Sequence, residues 1–142
     1  MKNIKTLFAA VTCALAVHAP VLAQASGTVV LKENFNNVGA LTNWVQVNNS
    51  NPVGQPWFQG NPGVFAAQYG PADSYIGANY LSAASSSGSI DTWLITPELM
   101  LGGATRLSFY TRSDTVPGFN DMLEVRFSAG GGTDTGGFST LL

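Results

Sequence analysis

Cysteine and histidine are almost missing from this chain of 142 residues, which contains one of each, Cys13 and His18. Both lie in the first 23 residues, a segment with the pattern of a cleaved leader. The remaining chain therefore has no thiol and no imidazole. Acting alone, it cannot use a nucleophilic cysteine, a Ser-His-Asp triad, histidine acid–base chemistry or a zinc site of His and Cys ligands. It also cannot form a disulfide, so a large core, a bound metal or both must hold it together.

Charged residues are scarce too, at 10% of the chain, and basic residues are the rarer kind. After residue 23, four basic residues stand against eight carboxylates, which gives a formal net charge of −4. An acidic domain with scattered basic residues lacks the cationic surface that phosphate backbones require. We therefore expect no nucleic-acid partner. The four basic residues are Lys32, Arg106, Arg112 and Arg126.

The longest apolar run belongs to the N-terminal leader. Residues 1–5 form a short basic region, residues 6–17 form an apolar region, and small residues precede an expected cleavage site after Ala23. The apolar region is shorter than the roughly 20 residues that a membrane-spanning helix needs. Because apolar residues continue after Cys13, a lipoprotein anchor is not expected. Residues 1–23 are thus predicted to be a secretory signal peptide, which implies a secreted or cell-surface protein without a membrane span in its mature chain.

We predict that export removes the leader between Ala23 and Gln24, because the apolar region and the small residues at the −3 and −1 positions place the cleavage there. Intact mass spectrometry of the exported protein should show a chain that begins at Gln24. An exported protein that still carries Met1 would contradict this prediction.

A helical pattern is missing as well, since no apolar period of 3.6 residues persists over ten or more residues of the mature chain. Short apolar or alternating segments are instead separated by loops rich in Gly, Pro, Asn and Ser. This pattern predicts an all-β fold, an antiparallel β-sandwich of jelly-roll type. Since a jelly roll has eight strands, we expect residues 24–142 to form a partial domain, truncated at the C-terminus. The predicted strands are residues 28–35, 43–47, 57–58, 74–82, 93–95, 105–112 and 121–128, with residues 138–142 opening another.

The most distinctive stretch lies in the middle of the chain. Trp93, Leu94 and Ile95 form a predicted strand that is apolar on both faces, as expected for a strand enclosed in a β core. Pro97 has no amide hydrogen to donate to a ladder, so the strand must end or reach an edge there. The full run reads Asp91-Thr92-Trp93-Leu94-Ile95-Thr96-Pro97.

This run and four other features of the sequence resemble the cleaved-adhesin, or choice-of-anchor J, family of secreted bacterial β-sandwich proteins. The resemblance covers most of residues 30–130. The Asp-x-Trp-Leu-x-Thr-Pro unit carries most of its specificity. The other matching residues are Glu33-Asn34-Phe35, Trp44, the Gly-Gly-Ala-Thr-Arg-Leu-Ser-Phe-Tyr run at 102–110, and Leu123-Glu124-Val125.

The resemblance implies a jelly-roll module of a surface or secreted protein, often stabilised by calcium and usually without known catalysis. Many members carry a C-terminal sorting signal of the PEP-CTERM type, and this chain ends before one could appear. The leading interpretation is therefore a non-catalytic adhesion or binding module. Its expected partner is an extracellular polysaccharide or a surface protein.

A structural calcium ion is predicted near Glu33 and Asp121. By strand alternation, each carboxylate shares its face with apolar residues, while Arg106 and Arg126 lie on the opposite, polar face. A carboxylate removed from water must be protonated, paired or bound to a metal. Calcium takes six to eight oxygen ligands, to which Asn36, loop carbonyls and water could contribute. The alternative is a bulge that turns both acids outward to water.

Catalysis would have to rely on carboxylates, as in glycosidases. The pattern shows no convergent pair. Asp121 and Glu124 lie on opposite faces of a strand, and Glu124 and Arg126 share a face as an expected ion pair. A carboxylate-dependent glycosidase fragment is therefore the least favoured alternative.

Aromatic residues offer a second alternative, a carbohydrate-binding module in which Trp57 and Tyr75 bind the ligand. Aromatic faces suit the C–H surfaces of pyranose rings. The opposing interpretation is that these side chains pack inside the sandwich. The full candidate set is Trp57, Phe58, Tyr69, Tyr75 and Tyr80.

Overall fold

The computed structural model describes residues 27–114, 116–118 and 122–142. The predicted signal peptide and Asp121 lie outside these residues. Within them the regular structure consists of short strands and three-residue 3-10 turns, which confirms the all-β class. No helix of this part of the chain has the length and apolar character needed to cross a membrane.

Six strands form three antiparallel sheets of two strands each, β1 with β4, β2 with β3, and β5 with β6. The described residues thus show antiparallel pairing but separate small sheets, where the pattern predicted two stacked layers. The strands are β1 Val45–Asn48, β2 Phe58–Gln59, β3 Ile76–Gly77, β4 Thr92–Ile95, β5 Arg126–Phe127 and β6 Thr140–Leu141. The 3-10 turns are Val38–Ala40, Tyr80–Ser82 and Thr135–Gly137.

The β1–β4 sheet is the longest pairing and contains the predicted central strand. Val45 pairs with Ile95 and Val47 with Trp93, so apolar residues face each other across the ladder. Ile95 is buried, with 5% of its surface exposed. The continuous apolar run on β4 and the alternation of apolar and polar residues on β1 explain why these two segments pair as strands.

Pairing continues past both strands through isolated bridges. Asn51 pairs with Ser89 in the β1–β4 register, and Val53 then pairs with Ala83. Between the two bridges, the segment that follows β1 has one residue, Pro52. The segment that precedes β4 has five, residues 84–88. The serine-rich segment is therefore looped out of the ladder as four extra residues.

The side chain of Asn48 fixes this irregular region. Its Nδ2 donates to the carbonyl oxygens of Ser82 at 2.9 Å and Gln55 at 3.1 Å. Its Oδ1 accepts from the Ser50 amide at 3.0 Å. One side chain thus satisfies three backbone groups in a place where the ladder is interrupted.

The side chain of Gln59 likewise forms hydrogen bonds with backbone groups at the β2–β3 sheet. Its Oε1 accepts from the Val38 amide at 2.7 Å, and its Nε2 donates to the carbonyl oxygens of Phe35 at 2.8 Å and Asp73 at 2.5 Å. The carboxamide therefore ties the first 3-10 turn and the segment before β3 to β2. Because the buried apolar residues described are only Val38, Ala83 and Ile95, such polar contacts hold much of the structure.

Two of the predicted strands are not strands in the structure. The first is residues 28–35. Its last residue, Phe35, has a φ of 54°, which is rare for a residue other than glycine and is incompatible with a continuing strand. Residues 105–112 are exposed throughout and carry no assigned strand. Alternating apolar and polar residues favour a strand, but a strand also needs a partner backbone with which to form hydrogen bonds. These two segments pair with no backbone among the described residues.

Other predicted strands are confirmed in shortened form. Residues 74–82 become β3 and the turn Tyr80–Ser82, because the Asn79 side chain accepts from the Leu81 amide and starts that turn. Among the described residues 122–128 only β5 is formed, and among residues 138–142 only β6.

Candidate functional site

The predicted metal ligands Glu33 and Asn36 lie close together in sequence, and both are exposed. The Glu33 Oε1 accepts from the amides of Asn34 at 2.9 Å and Phe35 at 2.7 Å. Glu33 thus stabilises the turn that precedes the first 3-10 turn. Since its carboxylate remains in contact with water, this structure does not impose the desolvation from which a metal was predicted.

The third predicted ligand, Asp121, lies outside the described residues. Within those residues, no group of three or more His, Cys, Asp or Glu side chains is gathered in a way that could hold a metal ion. The prediction of a calcium site at Glu33, Asn36 and Asp121 therefore stays a prediction.

Three of the remaining carboxylates, those of Asp91, Glu124 and Asp134, have local partners. Asp91 Oδ1 accepts from the Trp93 indole at 2.5 Å, so the Asp-x-Trp motif holds the tryptophan ring in place. Asp134 caps the turn Thr135–Gly137 through the Gly136 amide at 3.1 Å. Glu124 and Arg126 form the predicted ion pair, with 2.7 Å between Oε2 and Nε.

The two predicted ligand-binding residues belong to the β2–β3 sheet. Trp57 immediately precedes β2, and Tyr75 immediately precedes β3. The Gly60 amide donates to the Tyr75 carbonyl at 2.8 Å, which places Tyr75 opposite Gly60. Because Trp57 and Gly60 are three residues apart, strand alternation puts Trp57 and Tyr75 on opposite faces. One sugar ring therefore cannot stack on both.

Tyr75 is half-buried and already makes several contacts. Its hydroxyl donates to the Asn61 carbonyl at 2.8 Å and accepts from the Asn61 amide at 2.7 Å. Its ring stacks on Phe65, with centroids 4.9 Å apart and planes 25° apart. Trp57 is also half-buried, and its indole Nε1 is buried without a hydrogen-bond partner among the described residues.

The stack on Tyr75 continues to a cation. The guanidinium carbon of Arg112 lies 4.7 Å from the Phe65 ring centroid, a cation–π contact. We call Arg112, Phe65 and Tyr75 the aromatic column. It connects residues 105–112 to the loop between β2 and β3 without any ladder hydrogen bond.

Beside the column lies an exposed pair of tyrosines, Tyr69 and Tyr110, which we call the tyrosine pair. Their ring centroids are 5.4 Å apart and their planes are inclined by 73°, an edge-to-face geometry. A side-chain hydrogen bond with Tyr69 raises the pKa of Tyr110 above its ordinary value.

Sequence reasoning included Tyr69 among the aromatic candidates but missed Tyr110, Arg112 and Phe65. A signal for two of them was present, because strand alternation places Tyr110 and Arg112 on one face of residues 105–112. The structure brings that face to residues 65–69. No local pattern indicates which loop would receive it.

A concavity of about 200 Å³ lies on another part of the surface, beside the turn Tyr80–Ser82. Its lining is mostly apolar and contains no titratable group other than Tyr80. The lining residues are Tyr80, Leu81, Ala83, Ala84, Ser85 and Ser86.

Comparison with protein-family models, with curated proteins and with solved structures found no match for this chain.

Proposed function

We propose that this protein is a non-catalytic adhesion or binding module, secreted or displayed at the cell surface. The tyrosine pair carries the proposal. Both tyrosines are highly exposed, they are held against each other, and Arg112 lies in the adjoining aromatic column. Tyrosine is enriched at binding surfaces because it combines a large apolar ring with a hydroxyl that can form hydrogen bonds.

The proposed fold is the jelly-roll sandwich of the choice-of-anchor J family, the resemblance that also underlies the proposed export and PEP-CTERM type of sorting. The β1–β4 sheet supports it, because the Asp-x-Trp-Leu-x-Thr-Pro unit forms an antiparallel strand whose Ile95 is buried. The Asp91 contact to Trp93 adds a structural reason for the first and third residues of that unit.

The experiment is a surface-binding assay with the fluorescently labelled exported protein on cells of the producing organism and on their isolated extracellular matrix. We expect saturable binding that falls at least about tenfold in affinity in Tyr110→Ala. Tyr80→Ala is the matched control, since Tyr80 is equally exposed but makes no aromatic contact among the described residues. Absence of saturable binding to both surfaces would overturn the proposal.

A second candidate function is a carbohydrate-binding module that uses Trp57 and Tyr75. The observation that favours it is that Trp57 and Tyr75 are both only half-buried, which leaves aromatic surface for contact with a sugar. Binding on a glycan array that is lost in Trp57→Ala would support this candidate. A glycosidase is less well supported, because Asp91, Glu124 and Asp134 each make local structural contacts.

A structural calcium ion is also part of the proposal, with Glu33, Asn36 and Asp121 as its protein ligands. Its support is the oxygen chemistry of these side chains and the family resemblance. When bound, calcium would supply positive charge that links the turn at Glu33 to the segment of Asp121.

We predict that 1 mM calcium raises the melting temperature of the exported protein by several degrees relative to chelator, since a ligand that binds only the folded state stabilises it. Differential scanning calorimetry measures the shift. In Glu33→Gln combined with Asp121→Asn, calcium should have no effect. An unchanged midpoint in the parent protein, or a shift that survives the double substitution, would rule out this site.

A further inference from the structure

The tyrosine pair forms an open corner on the surface. Tyr69 has 68% of its surface exposed and Tyr110 has 71%. In an edge-to-face pair, the edge of one ring covers one face of the other, so three of the four ring faces remain open. Two apolar faces at a steep angle are therefore presented to solvent, together with the polar edges of the phenols.

The aromatic column holds this corner in position. Arg112 and Tyr110 are two residues apart on one segment, while Phe65 and Tyr69 are four apart on the other. The contact of Arg112 with Phe65 and that of Tyr110 with Tyr69 therefore join the same two segments at two points. Tyr75 anchors the far end of the column through its ring contact and its hydroxyl. A rigid aromatic surface loses little conformational entropy when it binds a ligand.

We propose that the tyrosine pair is a binding site for a neutral polysaccharide, with one pyranose ring stacked on a tyrosine face. The axial C–H bonds of a pyranose are apolar and suit an aromatic face, while its hydroxyls can bond to the phenol oxygens and to the Arg112 guanidinium. The net charge of −4 on the mature chain disfavours anionic polymers. This inference rests on the binding function proposed above.

The geometry favours a polysaccharide over a protein partner. Residues that dominate protein–protein affinity lie in well-packed pockets from which surrounding contacts exclude water. Both tyrosines of the pair are largely exposed to water, and the concavity beside Tyr80–Ser82 does not include them. A ligand that covers one ring at a time, such as a chain of sugars, fits an open corner of this kind.

The test is affinity electrophoresis of the exported protein in native gels that contain hydroxyethylcellulose, glucomannan or xyloglucan, with polygalacturonate as the anionic comparison. We expect retardation by at least one neutral polymer and none by polygalacturonate. Tyr69→Ala and Tyr110→Ala should each raise the dissociation constant at least about tenfold. Tyr110→Phe keeps the ring and should retain most of the binding.

Two matched controls separate the site from general effects on the surface. Tyr80→Ala removes an equally exposed tyrosine elsewhere, and Arg106→Gln removes a positive charge from the segment that carries Arg112. Both should bind within about twofold of the parent protein, whereas Arg112→Gln should weaken binding. Circular dichroism of each variant verifies folding.

Three results would overturn the inference, namely no retardation by any neutral polymer, retardation by polygalacturonate alone, or equal retardation of the parent and both alanine variants. If cells or matrix are bound while no polysaccharide is, only this inference fails and the binding function stands. If neither is bound, both fail.

Discussion

Replacing Gln59 with leucine should lower the free energy of unfolding by about 3 kcal/mol, because three partly buried backbone groups lose their hydrogen-bond partner together. These groups are the amide of Val38 and the carbonyl oxygens of Phe35 and Asp73. Leucine has a similar volume but can neither donate nor accept. Urea denaturation of the exported protein, followed by tryptophan fluorescence, measures the change.

Gln46→Leu is the matched control for this prediction. Gln46 lies on β1 with an exposed side chain for which no hydrogen bond is described, so the same chemical change should alter stability by less than about 0.5 kcal/mol. Gln59→Glu should destabilise at least as much as Gln59→Leu, since it keeps an acceptor for Val38 but places a carboxylate oxygen against two carbonyl oxygens. Equal stabilities of Gln59→Leu and Gln46→Leu would show that the carboxamide does not hold these segments together.

Replacing Gly54 with alanine should destabilise the protein by about 3 kcal/mol. An added Cβ would lie near the Leu81 carbonyl oxygen, closer than any van der Waals contact allows, and 2.9 Å from both the Ala83 carbonyl carbon and the Ala84 amide nitrogen. These are backbone atoms, which cannot rotate away as a side chain can. The two segments must therefore separate, and overpacking of this kind costs about 1–3 kcal/mol before any hydrogen bond is lost.

Separation would also weaken the hydrogen bonds that join the segments. The Gly54 amide donates to the Ser82 carbonyl at 3.0 Å, and the Gln55 amide donates to the Leu81 carbonyl at 2.7 Å. Gly102→Ala is the control, because a Cβ there meets no atom within 4 Å and its φ is not in the left-handed region. Urea denaturation of both variants in parallel gives the difference. A Gly54→Ala protein as stable as Gly102→Ala would mean that these two segments do not approach as closely as the structure describes.

Both predictions concern places where the backbone departs from a regular ladder. Asn48 and Gln59 supply side-chain amides where strand pairing is interrupted, and Gly54 permits a close approach that any side chain would block. The irregular loops are therefore held as specifically as the strands. This matters for the proposed binding site, because the tyrosine pair also lies outside the ladders.

Some elements were predictable because their signals are local. The run at residues 93–95 is continuously apolar and became β4, and alternation at residues 43–47 became most of β1. The ion pair between Glu124 and Arg126 followed from two residues that share a strand face. The strand predicted from alternation at residues 105–112 is not formed. A local pattern predicts which face a side chain takes but not whether a partner strand is present.

The sequence by itself determined the β class, the central strand and which chemistries are missing once the predicted signal peptide is removed, because composition and short periodicities contain that information. The tertiary structure decided which segments meet. It placed Tyr75 opposite Gly60 beside a small sheet, and it brought Arg112 to Phe65 and Tyr110 to Tyr69. These contacts join residues far apart along the chain, and their free energies depend on packing and hydrogen bonding that no short stretch of sequence specifies.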